Sequence, residues 1–205
     1  MRTIKATLFI SLDGVVEAPD QWHFPYFDEA MGAAVDAVAG PGKTDTLLVG
    51  RVTYDSFAGA WPEREQAGGD DAAFARHFGD LRKIVVSRQK LELIWRNSEQ
   101  LDGDLVEGVT RLKEEPGGPI AISGSPSVVV QLLEAGLLDE LHLLVHPIAV
   151  RHGGRLFQEG EPRLPLTLLR SEVFPTGVLN LVYAPAGAPA EAGYDDAKAY
   201  LPSDG

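Results

Sequence analysis

At 205 residues, 44% hydrophobic and 23% charged, the chain has the size and composition of one globular domain, able to bury a core without covalent staples. It has no cysteine, which excludes disulfides, thiolate catalysis, cysteine-ligated zinc and iron–sulfur clusters. A net charge of −12 argues against nucleic acid or an anionic membrane as the main partner, because both require a basic footprint. No apolar run approaches the roughly 18 residues of a membrane span, and the start of the sequence leads into a β-type run rather than a signal peptide. The expectation is a cytoplasmic protein acting on a small molecule.

Ile4 to Ser11 is a β-rich run, ended by Asp13-Gly14. Met31, Ala34, Val35 and Val38 make one helical stripe within Asp28–Val38, stopped by Gly40-Pro41-Gly42. Thr46 to Val49 is a short apolar strand, broken at Gly50 and followed by a helix from Arg51 to about Ala58. A further strand falls within Lys83–Ser87. Leu105, Val109 and Leu112 form a helical stripe ended by Pro116-Gly117-Gly118. Ile120 to Ser123 is the next strand. Ser125-Pro126 then has the form of an N-cap followed by proline at the first helical position, and Gly136 suits the helix's C′ position. Leu141 to Val145 is a strand, and Leu166–Val173 with Val178–Tyr183 form a hairpin across Phe174-Pro175-Thr176-Gly177. Residues from Ala184 on read as a tail, with Tyr194, Tyr200 and Leu201 as the side chains that could dock it.

Short apolar strands alternating with helices predict an α/β fold with a mostly parallel sheet covered on both faces, closed by a C-terminal antiparallel hairpin. Ligands of such sheets bind beyond the carboxyl ends of the strands. Three strand ends there carry small or basic polar residues: Gly50-Arg51-Val52-Thr53, Ser87-Arg88 and Ser123-Gly124-Ser125. Two of them open helices, whose free N–H groups and partial positive charge bind phosphate. Glycine admits the phosphate to the backbone and arginine adds a forked donor. Neither G-x-G-x-x-G nor G-x-x-x-x-G-K-[ST] occurs.

His142, His146 and His152 do not read as a metal site. Four residues along a strand span about 13 Å, too far for one ion, and His23 and His77 are isolated in sequence. Acid–base candidates are Asp13 and Asp28, with Glu17 and Asp20 between them, interleaved with Trp22, Phe24, Tyr26 and Phe27. An aromatic, acidic loop suits a flat heterocycle. Taken alone, a plain turn accounts better for Asp13-Gly14, and a helix N-cap for Asp28.

Several of these segments, in this order, resemble the bacterial dihydrofolate-reductase-like proteins of the RibD C-terminal-domain family. Ser11-Leu12-Asp13-Gly14 resembles the family's SLDG opening, and Leu47 to Tyr54 (LLVGRVTY) its GRxTY segment. Lys83 to Arg88 (KIVVSR) matches a family strand end, and Gly124-Ser125 stands where the family carries a glycine pair. Gly136–Pro147 with Gly153-Gly154-Arg155-Leu156-Phe157 resembles its closing run. The resemblance covers residues 1 to about 184 and implies a dihydrofolate-reductase-like domain over 1–184, with 185–205 as a tail. It implies NADPH binding, with Gly50, Arg51 and Thr53 on the phosphate side and Ser87 and Arg88 near the 2′-phosphate. Ser123, Gly124 and Ser125 would cradle the pyrophosphate, the nicotinamide would lie near Val15 and Val16, and the substrate would face Trp22, Phe24 and Asp28. The implied activity is hydride transfer to a small pterin- or pyrimidine-like ring, with a carboxylate, for which Asp13 and Asp28 are the candidates, or an ordered water supplying the proton. An NADP-binding sensor or an inactive scaffold is the alternative. The family also implies a homodimer, for which Leu141–Val150 and the closing hairpin are the candidate surface.

Overall fold

The computed structural model describes residues 1–160, 163–187 and 193–200. A single eight-stranded sheet forms its centre. In chain order the strands are β1 (Ile4–Ser11), β2 (Thr46–Gly50), β3 (Arg82–Val86), β4 (Ser98–Gln100), β5 (Ile120–Ser123), β6 (Glu140–His146), β7 (Leu166–Val173) and β8 (Leu179–Pro185). Their spatial order is β4-β3-β2-β5-β1-β6-β8-β7. Strands β1 to β6 pair in parallel, and β8 adds antiparallel to both β6 and β7. The expected parallel sheet with a closing hairpin is therefore present, and Gly177 N–H closes the turn onto Phe174 O at 2.9 Å.

Helices cover both faces. On one lie α1 (Glu29–Ala39), α2 (Arg51–Ala67) and α3 (Ala72–Asp80). There Val38, Tyr54 and Phe78 pack on Leu47, Val49 and Val85, and Met31 packs on Leu144, Phe174 and Val178. On the other lie α4 (Leu105–Glu114) and α5 (Pro126–Glu134), whose Val109, Leu112, Val129 and Leu132 pack on Ile4, Leu48, Ile120 and Ile122. Alternate residues of one strand, such as Leu47 and Leu48, thus feed opposite cores, as the two-residue strand period requires.

The structure adds elements that periodicity did not reveal. Helix α2 runs to Ala67 through Pro62, so the proline removes one internal bond without ending the helix. Helix α3 and the three-residue edge strand β4 were not expected. Strand β6 lies between β1 and β8, so Leu141–Val145 is interior and cannot supply a dimer edge; only β7 leaves that side of the sheet open. Beyond the sheet, Tyr194 and Tyr200 are 73% and 91% exposed and dock nothing, and Leu201 lies outside the described residues.

Helix α3 ends on an unusual anchor. Lys83 is fully buried, and its Nζ donates to Phe78 O, Gly79 O and Leu81 O at 2.9, 2.9 and 2.7 Å. It also lies 4.3 Å from the Trp95 ring centroid, a cation–π contact. Burial pushes its ammonium down to about 8, with Arg96 adding to the shift. The carbonyls at a helix C-terminus need donors, and a cation answers their partial charge. Lys83→Met keeps most of the volume and removes every donor. It is expected to cost about 3 kcal/mol, within the range for stranding buried partners of a charged group, read as a lower urea midpoint at unchanged slope.

Candidate functional site

Strands β2 and β5 are neighbours, yet β2 continues into α2 on one face and β5 into α5 on the other. That divergence is the switch point at which open α/β sheets bind ligands. The two strands pair only at Thr46/Ile120 and Leu47/Ala121, while β5 stays paired with β1 as far as Thr7/Ser123. Beyond Leu47 the ladder between β2 and β5 gives way to side-chain bonds. Gly50 N–H donates to Ser125 Oγ at 2.9 Å, and Ser125 N–H donates to Thr53 Oγ1 at 3.1 Å.

This exchange explains a departure from the expected capping. Ser125 occupies the N-cap position of α5, but its φ is +55° and its hydroxyl caps nothing in its own helix. The hydroxyl is spent across the sheet on β2. Gly124 precedes it at φ +72°, and a Cβ there would lie 3.3 Å from Thr53 Cγ2, so the tight approach of the two helix starts depends on that glycine. Helix α2 likewise has Gly50 as N-cap and no side-chain cap. By contrast, Asp28 caps α1 through Met31 N–H, and Asp104 caps α4 through Val106 and Glu107. The first turn of α2 therefore leaves its backbone N–H groups uncapped beside the crevice, whereas α5 begins with Pro126, which has no N–H, and bonds Val128 N–H to Ser125 O, leaving Ser127 N–H over.

A cleft of about 2250 Å³ opens there, larger than the roughly 300–1,000 Å³ of most small-ligand pockets. Gly50, Arg51, Thr53, Ser87, Arg88, Ser123, Gly124 and Ser125 all line it, as do Val16 and Phe24. Arg51 pairs with Asp55 at 3.1 Å on the exposed face of α2, and Arg88 is exposed. The Ser87 hydroxyl accepts from Gln89 N–H and so belongs to the turn after β3. Away from these groups the wall becomes aromatic. Phe9, His23, Phe24, Phe27 and Phe157 line it together with Thr7 and Val35. Besides β1 and α1, two loops contribute to this wall and are tied together: Val16 N–H donates to Gly154 O, Leu156 N–H to Gly14 O, and Gly154 N–H to Glu17 Oε2.

The sequence matches the RibD C-terminal domain family over residues 2–180. The chain belongs to that family. A curated relative is the uncharacterised protein YyaP of Bacillus subtilis (strain 168), 27% identical over 190 residues, covering 89% of this chain and 94% of that protein. Among solved structures, a candidate riboflavin biosynthesis protein from Shewanella sp. PV-4 superposes with a TM-score of 0.67 at 20% identity, over 90% of this chain and 99% of that one. A pyrimidine reductase-like protein from Corynebacterium diphtheriae gives 0.62 at 17%, over 91% and 93%. RibD of Acinetobacter baumannii gives 0.60 at 15%, over 91% of this chain and 59% of that one. These structures share the RibD C-terminal fold. No helix among the described residues is long and apolar enough to cross a membrane.

Three residues expected to serve chemistry in this family member serve structure instead. Asp13 is not in the cleft wall. Its carboxylate accepts from the Ser11 hydroxyl at 2.6 Å, Val150 N–H at 3.0 Å and Arg151 N–H at 2.9 Å, clamping the loop after β6 to the end of β1. Ser11, then the amides of Arg151 and Val150, hold its carboxyl down at about 2, the ionised state and the wrong one for a proton donor. Asp28 is likewise outside the wall, turned into the first turn of α1 as its cap. Trp22 is buried, donates to Glu17 O at 3.1 Å and supports the loop from behind; Phe24 alone of the expected ring-binding pair faces the cleft. His142 is also accounted for, by a bond to Glu140 at 2.8 Å. Cleft residues that the sequence does not single out include Phe9, inside the first strand, and His23. For His23, its position between Trp22 and Phe24 was the one available signal.

The Asp13 clamp has a testable pH signature. A carboxylate with a depressed folded pKa adds stability that is present above its ordinary value and lost as pH falls through the folded one. Asp13→Asn should therefore lower the melting temperature at pH 7, and the gap to wild type should close between about pH 4 and pH 2. A gap independent of pH would assign the loss to packing instead.

Proposed function

We propose that this chain is an NADPH-dependent reductase acting on a small heterocycle of pterin- or pyrimidine-like shape. The observation that carries the reading is the pair of uncapped helix starts held side by side by Ser125. Anionic oxygens of a dinucleotide satisfy such N–H groups and benefit from both helix dipoles. Gly124 lets the two helix starts approach each other closely, and both Gly50 and Gly124 line the cleft. A Cβ on Gly124 would crowd Thr53, and one on Gly50 would meet Val128 at 3.5 Å. The residues present thus fit the cofactor.

Gly50, Arg51, Thr53 and the Ser123–Ser125 turn would hold its phosphates. Arg88 at the end of β3 would meet the 2′-phosphate, for which a guanidinium is well shaped, and Val16 would face the nicotinamide end. Bound there, NADPH supplies a hydride. The chain's own part is to orient the two rings, to exclude water with the aromatic wall and to keep the reacting faces in register. The name of the pyrimidine reductase-like neighbour supports the choice of substrate shape. An NADP-binding sensor would share the cofactor half of the cleft and leave the aromatic half without a task.

Titration of the protein with NADPH and NADH, followed by tryptophan fluorescence, tests the reading. NADPH is expected to bind more tightly. Arg88→Ala should weaken NADPH at least tenfold while changing NADH little, the loss of about 1.4 kcal/mol or more that a charged hydrogen bond represents. Absence of binding at millimolar NADPH would remove both the reductase and the sensor.

The reading extends to a homodimer built on β7. This edge strand, bulged between Leu168 and Arg170, leaves Leu168, Leu169 and Val173 exposed by 50%, 55% and 72%, apolar surface that a second copy would cover. A two-fold antiparallel pairing centred on Ser171 would set Arg170 against the partner's Glu172 and Leu169 against the partner's Val173. Light scattering at micromolar concentration should give twice the chain mass, and Leu169→Lys should restore the monomer.

A further inference from the structure

His23 is 6% exposed and yet lines the cleft. Its ring is stacked on Phe9 at 4.4 Å and 13°, covered by Phe24 at 4.2 Å, and met edge-on by Phe27 at 5.9 Å. Nδ1 is sealed from solvent and has no hydrogen-bond partner. Behind it stands His146, its centroid 6.1 Å away and its plane nearly perpendicular. His146 Nδ1 lies 2.8 Å from Leu144 O and must donate to it, which leaves Nε2 of that ring a bare, buried lone pair without a partner. Two orphaned ring nitrogens in one small aromatic cluster are costly, and packing alone would favour phenylalanine at position 23.

The environment also fixes the state of the ring. Burial, followed by the neighbouring His146, pushes the His23 pKa down to about 4, with Asp20 opposing weakly. At neutral pH His23 is therefore an uncharged imidazole with one N–H. A buried unpaired N–H is rarer and dearer than an unpaired lone pair, so the hydrogen belongs on Nε2, the nitrogen not sealed inside the cluster. A ring held rigidly by stacking then offers one fixed donor at the cleft wall. Asp13 and Asp28, the groups expected to meet the substrate, are committed to a loop clamp and a helix cap.

We propose that His23 is the substrate-recognition donor of this site: its neutral imidazole N–H, held rigid between Phe9 and Phe24, pairs with a carbonyl oxygen or an unprotonated ring nitrogen of a flat, uncharged heterocycle. The proposal rests on the reductase reading for the identity of the cleft and goes beyond it in naming the residue, its protonation state and the kind of substrate atom it selects. A site built around a fixed donor rejects a ring that lacks the matching acceptor, because the donor is then left unpaired.

The test uses the full chain with and without NADPH, and pterin and 5-aminouracil as ring probes, in wild type, His23→Phe and His23→Gln. His23→Phe keeps the stack and removes the donor; His23→Gln returns a neutral N–H without the imidazole. At least one ring is expected to bind wild type at submillimolar concentration. His23→Phe should weaken it five- to tenfold, and His23→Gln should recover to within about threefold. NADPH affinity should not change in any variant. His23→Phe should also melt several degrees above wild type, since it relieves an orphaned polar atom; a purely structural histidine would show that shift without any change in ring binding. Equal ring binding by wild type and His23→Phe would overturn the proposal, as would binding of neither ring. If NADPH fails to bind but a ring binds and depends on His23, the reductase reading falls and this assignment stands.

Discussion

The site depends on one short exchange of hydrogen bonds. Where β2 and β5 part, nothing in the ladder holds their ends together, and the helices that follow leave in opposite directions. Ser125 bridges the gap by accepting from Gly50 N–H and donating to Thr53 Oγ1. To do so it adopts a left-handed conformation that costs a residue with a Cβ about 1 kcal/mol or more. Two partly buried hydrogen bonds, each worth about 1 kcal/mol, offset that strain. What remains is a pair of helix starts fixed next to each other, with the first-turn amides of α2 and Ser127 N–H of α5 left uncapped. Strain kept at a ligand-facing turn in this way is expected where geometry serves binding rather than stability.

From that junction the cleft divides by chemistry. On one side backbone donors, Arg51 and Arg88 make a region suited to anions inside a chain of net charge −12. On the other, Phe9, His23, Phe24, Phe27 and Phe157 make a wall suited to a flat ring. The same first strand serves both, since Thr7 pairs with Ser123 at the anionic side and Phe9 carries the stack at the aromatic side. A two-part ligand laid across β1 would touch both regions without any movement of the sheet.

Much of the fold was legible because each central strand is a short apolar run bounded by a breaker, and because proline and glycine mark the ends of α1, α4 and α5. The anion-facing residues were legible for the same reason: a strand end that opens a helix is visible as Gly50-Arg51 or Gly124-Ser125. What periodicity could not show was helix α3, whose stripe of Phe74, Ala75 and Phe78 is short, and the far half of α2, where Pro62 mimics a terminator. Nor could local pattern show what a carboxylate would touch. The partners of Asp13 at Val150 and Arg151 lie some 137 and 138 positions away, so a loop clamp and an acid look identical in sequence. His23 was passed over for the converse reason, since its significance lies in partners it lacks.

The fate of the carboxylates also constrains the chemistry available. Asp13, Glu17 and Asp28 each accept backbone N–H groups, so three carboxylates of the first loop and helix are used to fix the chain around the cleft, while Asp20 lines it. A wall made this way supplies mainly aromatic surface, with Glu17 and Asp20 at its margin. Hydride transfer is well served by such surroundings, because its main demands on a protein are alignment of donor and acceptor and exclusion of water. Positioning, rather than strong acid–base assistance, is then what this arrangement of loops contributes, and the clamps that took Asp13 and Asp28 out of the cleft are part of how the positioning is achieved.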